Sequence, residues 1–146
     1  MISPETSPEF PPSSIVDTIQ RFDPDQAVRS CSPLSDVIEA QTHRTVHDGL
    51  ERTYLLYLPQ DLSDGAPLVF VIHGFTDTAL GMMNTSGMNR LAEEHGFAVC
   101  YPQGLPDDEG RTFWETGYSF TEKYGRDDVG FLRSLAIDLQ STYGLS

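Results

Sequence analysis

Cysteine, basic charge and long apolar runs are all scarce in this chain of 146 residues, and each scarcity excludes something. The two cysteines, Cys31 and Cys100, define neither a disulfide framework nor a metal-binding spacing. Both are expected to stay reduced, with Cys100 packing as a small hydrophobe inside Phe97-Ala98-Val99-Cys100-Tyr101. Only 9 basic residues face 22 acidic ones, a formal net charge of −13. Such a charge opposes phosphate and anionic lipid surfaces, so neither nucleic acid nor membrane is an expected partner. No apolar stretch approaches the roughly 20 residues of a membrane span. Met1-Ile2-Ser3-Pro4-Glu5 has neither the basic flank nor the apolar core of a secretory leader, and localisation stays open.

What is present divides the chain in two. Residues 1–40 carry Pro4, Pro8, Pro11, Pro12, Pro24 and Pro33 among many Ser and Asp, with little to bury; they read as a linker or disordered arm, with one weak helical turn near Ile15 to Phe22. From residue 41 onward the pattern is that of a folded domain. Thr42 to Val46 and Glu51 to Leu58 are strand-like and flank His47-Asp48-Gly49-Leu50, where Asp-Gly predicts an antiparallel hairpin. Tyr54 and Tyr57 are expected to pack in the core and at its edge. Pro67-Leu68-Val69-Phe70-Val71-Ile72 is a continuous apolar run, expected to be a strand buried on both faces as in a parallel sheet. It stops at His73-Gly74, where Gly74 is expected to allow a tight turn that leaves the Phe75 and Thr76 amides open to a ligand. Thr76 to Gly87 reads as a loop or broken helix, Met88 to His95 as helical turns ended by Gly96, and Phe97 to Tyr101 as a second buried strand. A long polar loop runs from there to Arg126. Asp127 or Asp128 then caps a helix whose apolar positions are Val129, Leu132, Leu135, Ala136, Leu139 and Tyr143, with Gly144 as its stop.

The ordered series Ile72-His73-Gly74-Phe75-Thr76-Asp77-Thr78, Met88-Asn89-Arg90-Leu91-Ala92-Glu93-Glu94-His95-Gly96-Phe97-Ala98-Val99-Cys100-Tyr101-Pro102-Gln103-Gly104, Trp114 and Arg126-Asp127-Asp128-Val129-Gly130-Phe131-Leu132 resembles the front half of the esterase/poly(3-hydroxybutyrate) depolymerase family, which includes feruloyl and acetylxylan esterases. The resemblance implies the N-terminal half of an α/β-hydrolase fold over residues 41–146: a β-hairpin, two parallel core strands and flanking helices, incomplete before the nucleophile elbow. It also implies a serine acyl-enzyme, an oxyanion hole with one donor from Phe75 N–H on a loop shaped by His73 and Gly74, no cofactor or metal, and a small ester, polyester or plant cell-wall ester as substrate. No Gly-x-Ser-x-Gly occurs in the 146 residues, so nucleophile, acid and base are expected to lie outside them. The competing expectation is a catalytically inactive fragment or binding module from a truncated or split gene. In the implied sheet order the Pro67 strand lies between its parallel partner and a fifth strand; without the fifth it becomes an edge open to self-association.

Other residues invite sharper and blander readings. Ser86, in Asn84-Thr85-Ser86-Gly87, is a polar loop or helix-start residue sooner than a nucleophile, because His43, His47, His73 and His95 are poorly placed as bases. Met82, Met83 and Met88 fill core gaps or line an acyl pocket. Trp114 either anchors the long loop by its buried area or forms a platform for an aromatic or sugar-linked acyl group. Asp107-Asp108-Glu109 lacks the alternating oxygen ligands of a calcium loop and reads as a solvated acidic turn. His43 and His47 are four apart on strand and turn, a spacing that suits a metal only on a helix.

Overall fold

The structure, a computed structural model, describes residues 40–119 and 121–146. The expectations for the arm 1–40, including its helical turn and Cys31, lie outside the described residues, save residue 40 itself.

Two strands open the fold, β1 (Gln41–His47) and β2 (Leu50–Tyr57), paired antiparallel with His47 opposite Leu50. The two residues between them have positive φ, 49° at Asp48 and 75° at Gly49. That is a type I′ turn, whose twist matches the strands and which Asp-Gly accommodates. β3 (Leu68–Phe70) and β4 (Ala98–Pro102) pair in parallel, and the sheet order is β1-β2-β4-β3. Between them lie α1 (Ala79–Ser86) and α2 (Met88–His95), separated by Gly87 in the left-handed region at φ 66°. Thr78 caps α1 through a bond from Gly81 N–H. After the long loop and a 3₁₀ turn (Glu122–Tyr124) comes α3 (Asp128–Tyr143), capped by Asp127, which accepts from Gly130 N–H.

Side-chain alternation along β2 and β4 sorts the core onto two faces of the sheet. Leu56 and Cys100 pack against Phe131, Leu135 and Leu139 of α3, while Tyr57, Val99 and Tyr101 pack against Ala79 and Ala92 of α1 and α2. The sheet is thus covered by helices on both sides. The strand buried on both faces is β4, every residue of which is buried. β3 is three residues long and half-buried, and Ile72 is exposed, contrary to the expectation for Pro67 to Ile72. Its position at the sheet edge, with β4 on one side only, is the reason.

The apolar stripe of α3 also differs from the one read off the sequence. Its buried positions are Asp128, Phe131, Leu135 and Leu139, while Val129 and Tyr143 face water. The stripe is displaced because its first turn is pinned by a charge: Arg52 of β2 and Asp128 are 1% and 3% exposed, with Nη1 and Oδ1 2.6 Å apart.

The end of the described chain returns to β3. Ser146 N–H donates to Ala66 O at 2.9 Å and Leu68 N–H donates to Ser146 O at 3.1 Å. These two bonds are a parallel bridge on the side of β3 away from β4, since Ala98 N–H donates to Pro67 O and Val71 N–H to Cys100 O on the other side.

Candidate active site

The apolar run ends where β3 leaves the sheet, and His73 turns inward there. It is 2% exposed. Its Nδ1 lies 2.7 Å from Gly74 O, a carbonyl that can only accept, so Nδ1 carries the proton. Nε2 is therefore the acceptor, and it receives Gly104 N–H at 2.9 Å and the Gln103 amide at 3.1 Å. Gln103 Oε1 in turn accepts from Ala79 N–H, the first residue of α1, at 2.9 Å. A neutral imidazole of one tautomer thus ties the loop after β3 to the loop after β4 and to the start of α1.

Gly104 is required by this arrangement. A Cβ there would lie 2.4 Å from Phe113 O and 3.2 Å from His73 Cε1. Gly74, by contrast, has neither a positive φ nor a neighbour that a Cβ would strike within 4 Å. The tight bend expected at Gly74 sits two residues later. Asp77 N–H donates to Gly74 O at 3.3 Å and Thr76 has φ 67°, which makes 74–77 a type II turn with a β-branched residue where glycine is usual. Thr76 N–H donates to Thr112 O at 2.8 Å, so it is not open to a ligand as expected. Among the described residues Phe75 N–H has no hydrogen-bond partner, and the Phe75 side chain is 59% exposed.

Beside this turn is a cavity of about 220 Å³ lined by His73, Gly74, Phe75, Phe113, Trp114 and Thr116 among others. Trp114 combines the two roles weighed for it: its Nε1–H donates to His73 O at 3.0 Å, its ring packs on the Leu56–Phe131 cluster, and it lines the cavity. A wall largely of aromatic carbon, which includes Phe75 among its lining residues, can hold a compact acyl group.

The remaining candidates are elsewhere. Met82, Met83 and Met88 pack on the Tyr57–Tyr101 cluster and are not among the residues lining this cavity. Ser86 ends α1 and accepts weakly from Met88 N–H at 3.4 Å; no histidine bonds it among the described residues. Asp107 accepts from Arg111 Nε at 2.8 Å and Asp108 from Lys123 Nζ at 2.8 Å, so the acidic turn is ion-paired. His43 stacks on Tyr54, ring centroids 5.1 Å apart. Cys100 is buried and free, and burial raises its thiol pKa far above the ordinary range. Among the described residues no helix is long and apolar enough to cross a membrane. Sequence reasoning missed Gln103 and the Arg52–Asp128 pair; a polar residue directly after the buried β4 run was the available signal for the first.

The helix-covered sheet, the order β1-β2-β4-β3 and the strand-end loop define part of an α/β-hydrolase fold. Among solved structures, the native form of a protein called sOPH is similar over 78% of this chain and 43% of its own, at 22% identity and TM-score 0.57. The apoenzyme of S-formylglutathione hydrolase FrmB from Staphylococcus aureus matches over 73% of this chain and 42% of its own, at 16% identity and TM-score 0.55. These likenesses concern the fold alone.

In sequence the chain resembles the esterase/poly(3-hydroxybutyrate) depolymerase group. It is 33% identical over 69 residues to S-formylglutathione hydrolase of Paracoccus denitrificans, covering 47% of this chain and 25% of that protein. It is 40% identical over 48 residues to probable acetylxylan esterase A of Aspergillus clavatus, covering 33% and 16%. It is 27% identical over 96 residues to polyhydroxybutyrate depolymerase of Talaromyces funiculosus, covering 61% and 28%. The chain thus spans no more than 28% of the length of these curated relatives. No family model matches it.

Proposed function

We propose that this chain carries the oxyanion-loop part of a carboxylic ester hydrolase of the polyhydroxybutyrate depolymerase/feruloyl esterase type, with Phe75 N–H as one of the donors. What supports the reading is that Phe75, whose amide has no partner among the described residues, lines an aromatic cavity and lies on a turn held by the neutral His73. In such a hydrolase a serine oxygen attacks the ester carbonyl, and the electron pair displaced onto the carbonyl oxygen is held by backbone amides. The alcohol then leaves and water releases the acid from the acyl-enzyme. The serine, its base and the acid would come from residues outside these 146, since no Gly-x-Ser-x-Gly is among them. Small esters, polyesters or plant cell-wall esters are the substrate classes, and no cofactor is needed.

The test has two arms. The 146-residue chain should show no saturable hydrolysis of p-nitrophenyl acetate or butyrate and no labelling by a serine-directed phosphonate. In the product of the gene read through in frame to a Gly-x-Ser-x-Gly, Phe75→Pro should lower kcat about 10²–10³-fold with KM little changed. Proline suits the second position of a type II turn, so the substitution removes the N–H with little change of backbone. Turnover by the 146 residues with stoichiometric labelling of Ser86, or an unchanged kcat in Phe75→Pro, would defeat the proposal. Absence of any in-frame continuation would favour an inert fragment or binding module.

A further inference from the structure

At the side of the sheet away from β3, the hairpin turn meets Asp127, the residue that caps α3. His47 Nε2 lies 3.7 Å from Asp48 Oδ2 and 3.5 Å from Asp127 Oδ2. One donor atom from each of the three residues falls within a mutual 4.8 Å. We propose that His47, Asp48 and Asp127 form a binding site for a divalent transition-metal cation of the zinc type, which would clip the β1–β2 hairpin to the start of α3.

Distance and charge support the assignment. Separations of 3.5 and 3.7 Å exceed the 2.7–3.2 Å of an N–H···O hydrogen bond. They are near the spacing of ligands around a shared ion, since bonds of about 2.0–2.1 Å at tetrahedral angles put donors roughly 3.3–3.4 Å apart. Among the described residues His47 Nε2, itself buried, makes no hydrogen bond of ordinary length, although the side chain as a whole is 18% exposed. Two carboxylates converge on it, and the hairpin's arginines are committed elsewhere: Arg44 to Glu51 at 3.0 Å and Arg52 to Asp128 at 2.6 Å. Neither neutralises the pair.

The donor set also fits the ion. One imidazole and two carboxylates suit a borderline cation, and the exposed side of both aspartates leaves room for water as a further ligand. Asp127 serves two ends, because Oδ1 accepts Gly130 N–H at 2.8 Å while Oδ2 faces His47. The positive end of the α3 dipole opposes a cation there, so affinity should be modest. His43, four residues back, takes no part; its ring is stacked on Tyr54.

The experiment titrates zinc chloride into the full chain and follows the imidazole resonances of the four histidines by NMR. The His47 signals should shift saturably with one equivalent, while those of His43, His73 and His95 stay. Asp127→Asn keeps a side-chain oxygen for capping the helix, and Asp48→Asn suits the positive φ of the turn. Each should weaken binding at least tenfold with the far-UV circular dichroism unchanged, and His47→Gln should abolish it. If the His47 signals respond to pH but not to excess zinc, the three groups are only an ion pair and the site does not exist. Unchanged affinity in both aspartate variants would overturn it equally.

Discussion

Removing the Asp128 carboxylate should cost this fold more than any other single polar change. In Asp128→Ala the Arg52 guanidinium keeps its charge inside the protein, where it is 1% exposed and its Nε and Nη2 already lack hydrogen-bond partners among the described residues. What remains is the face of Phe131, 4.0 Å from the guanidinium carbon, and Trp114 at 5.8 Å. Breaking a buried pair from one side costs about 3–5 kcal/mol. The Glu115 amide, which donates to Asp128 Oδ2 at 2.6 Å, loses its acceptor as well, adding about 1–3 kcal/mol if water cannot replace it. Total stabilities of domains run about 5–15 kcal/mol, so a loss near 5 would unfold much of the population. Urea denaturation followed at 222 nm reads the effect; with slopes of about 1–3 kcal/mol per molar, the midpoint should fall by on the order of 2 M. Replacing both partners, Arg52→Met with Asp128→Leu, should recover most of that loss, because no charge is then left stranded. A single Asp128→Ala costing under about 1 kcal/mol, or a double variant no better than the single, would refute the account.

Two further outcomes follow from the loops and the edge. Gly104→Ala should destabilise the fold by about 1–3 kcal/mol in the same assay, since its Cβ would sit 2.4 Å from Phe113 O and the backbone must move; a neutral effect would mean that the two loops are not held together at His73. In hydrogen exchange on a dilute monomer, Val69 and Val71 should be slow because odd-numbered amides of the β3 strand face β4, whereas Phe70 and Ile72 should exchange fast; protection at Phe70 and Ile72 would show that the outer edge is already paired.

How much of this was legible beforehand depended on the range of the interaction. The hairpin was readable because Asp48-Gly49 is a local demand for positive φ, and the ends of α2 and α3 because Gly96 and Gly144 are left-handed stops. His73 and Phe75 were marked by the abrupt end of an apolar run. That His73 is an acceptor for Gly104, or that Thr76 and not Gly74 makes the bend, was not readable, because both rest on the loop after β4 lying against the loop after β3.

Sequence by itself determined the hairpin, the two parallel strand segments and the helices that end at Gly96 and Gly144, since periodicity, turn chemistry and capping act between residues a few positions apart; it did not mark the helix Ala79–Ser86, read as a loop or broken helix, or the end of β3 at Phe70. It also determined, through ordered motifs, the kind of protein to which the chain is similar. Only the tertiary structure decided which strand is central. Apolar content is alike in the runs at Leu68 and Ala98, yet one is half-buried and the other wholly buried because β4 has neighbours on both sides and β3 has β4 on one. The same holds for charge: Asp127 and Asp128 are indistinguishable as residues, and packing made one an exposed cap and the other the buried partner of Arg52. Burial depends on what folds over a residue from far along the chain, and that no local pattern contains.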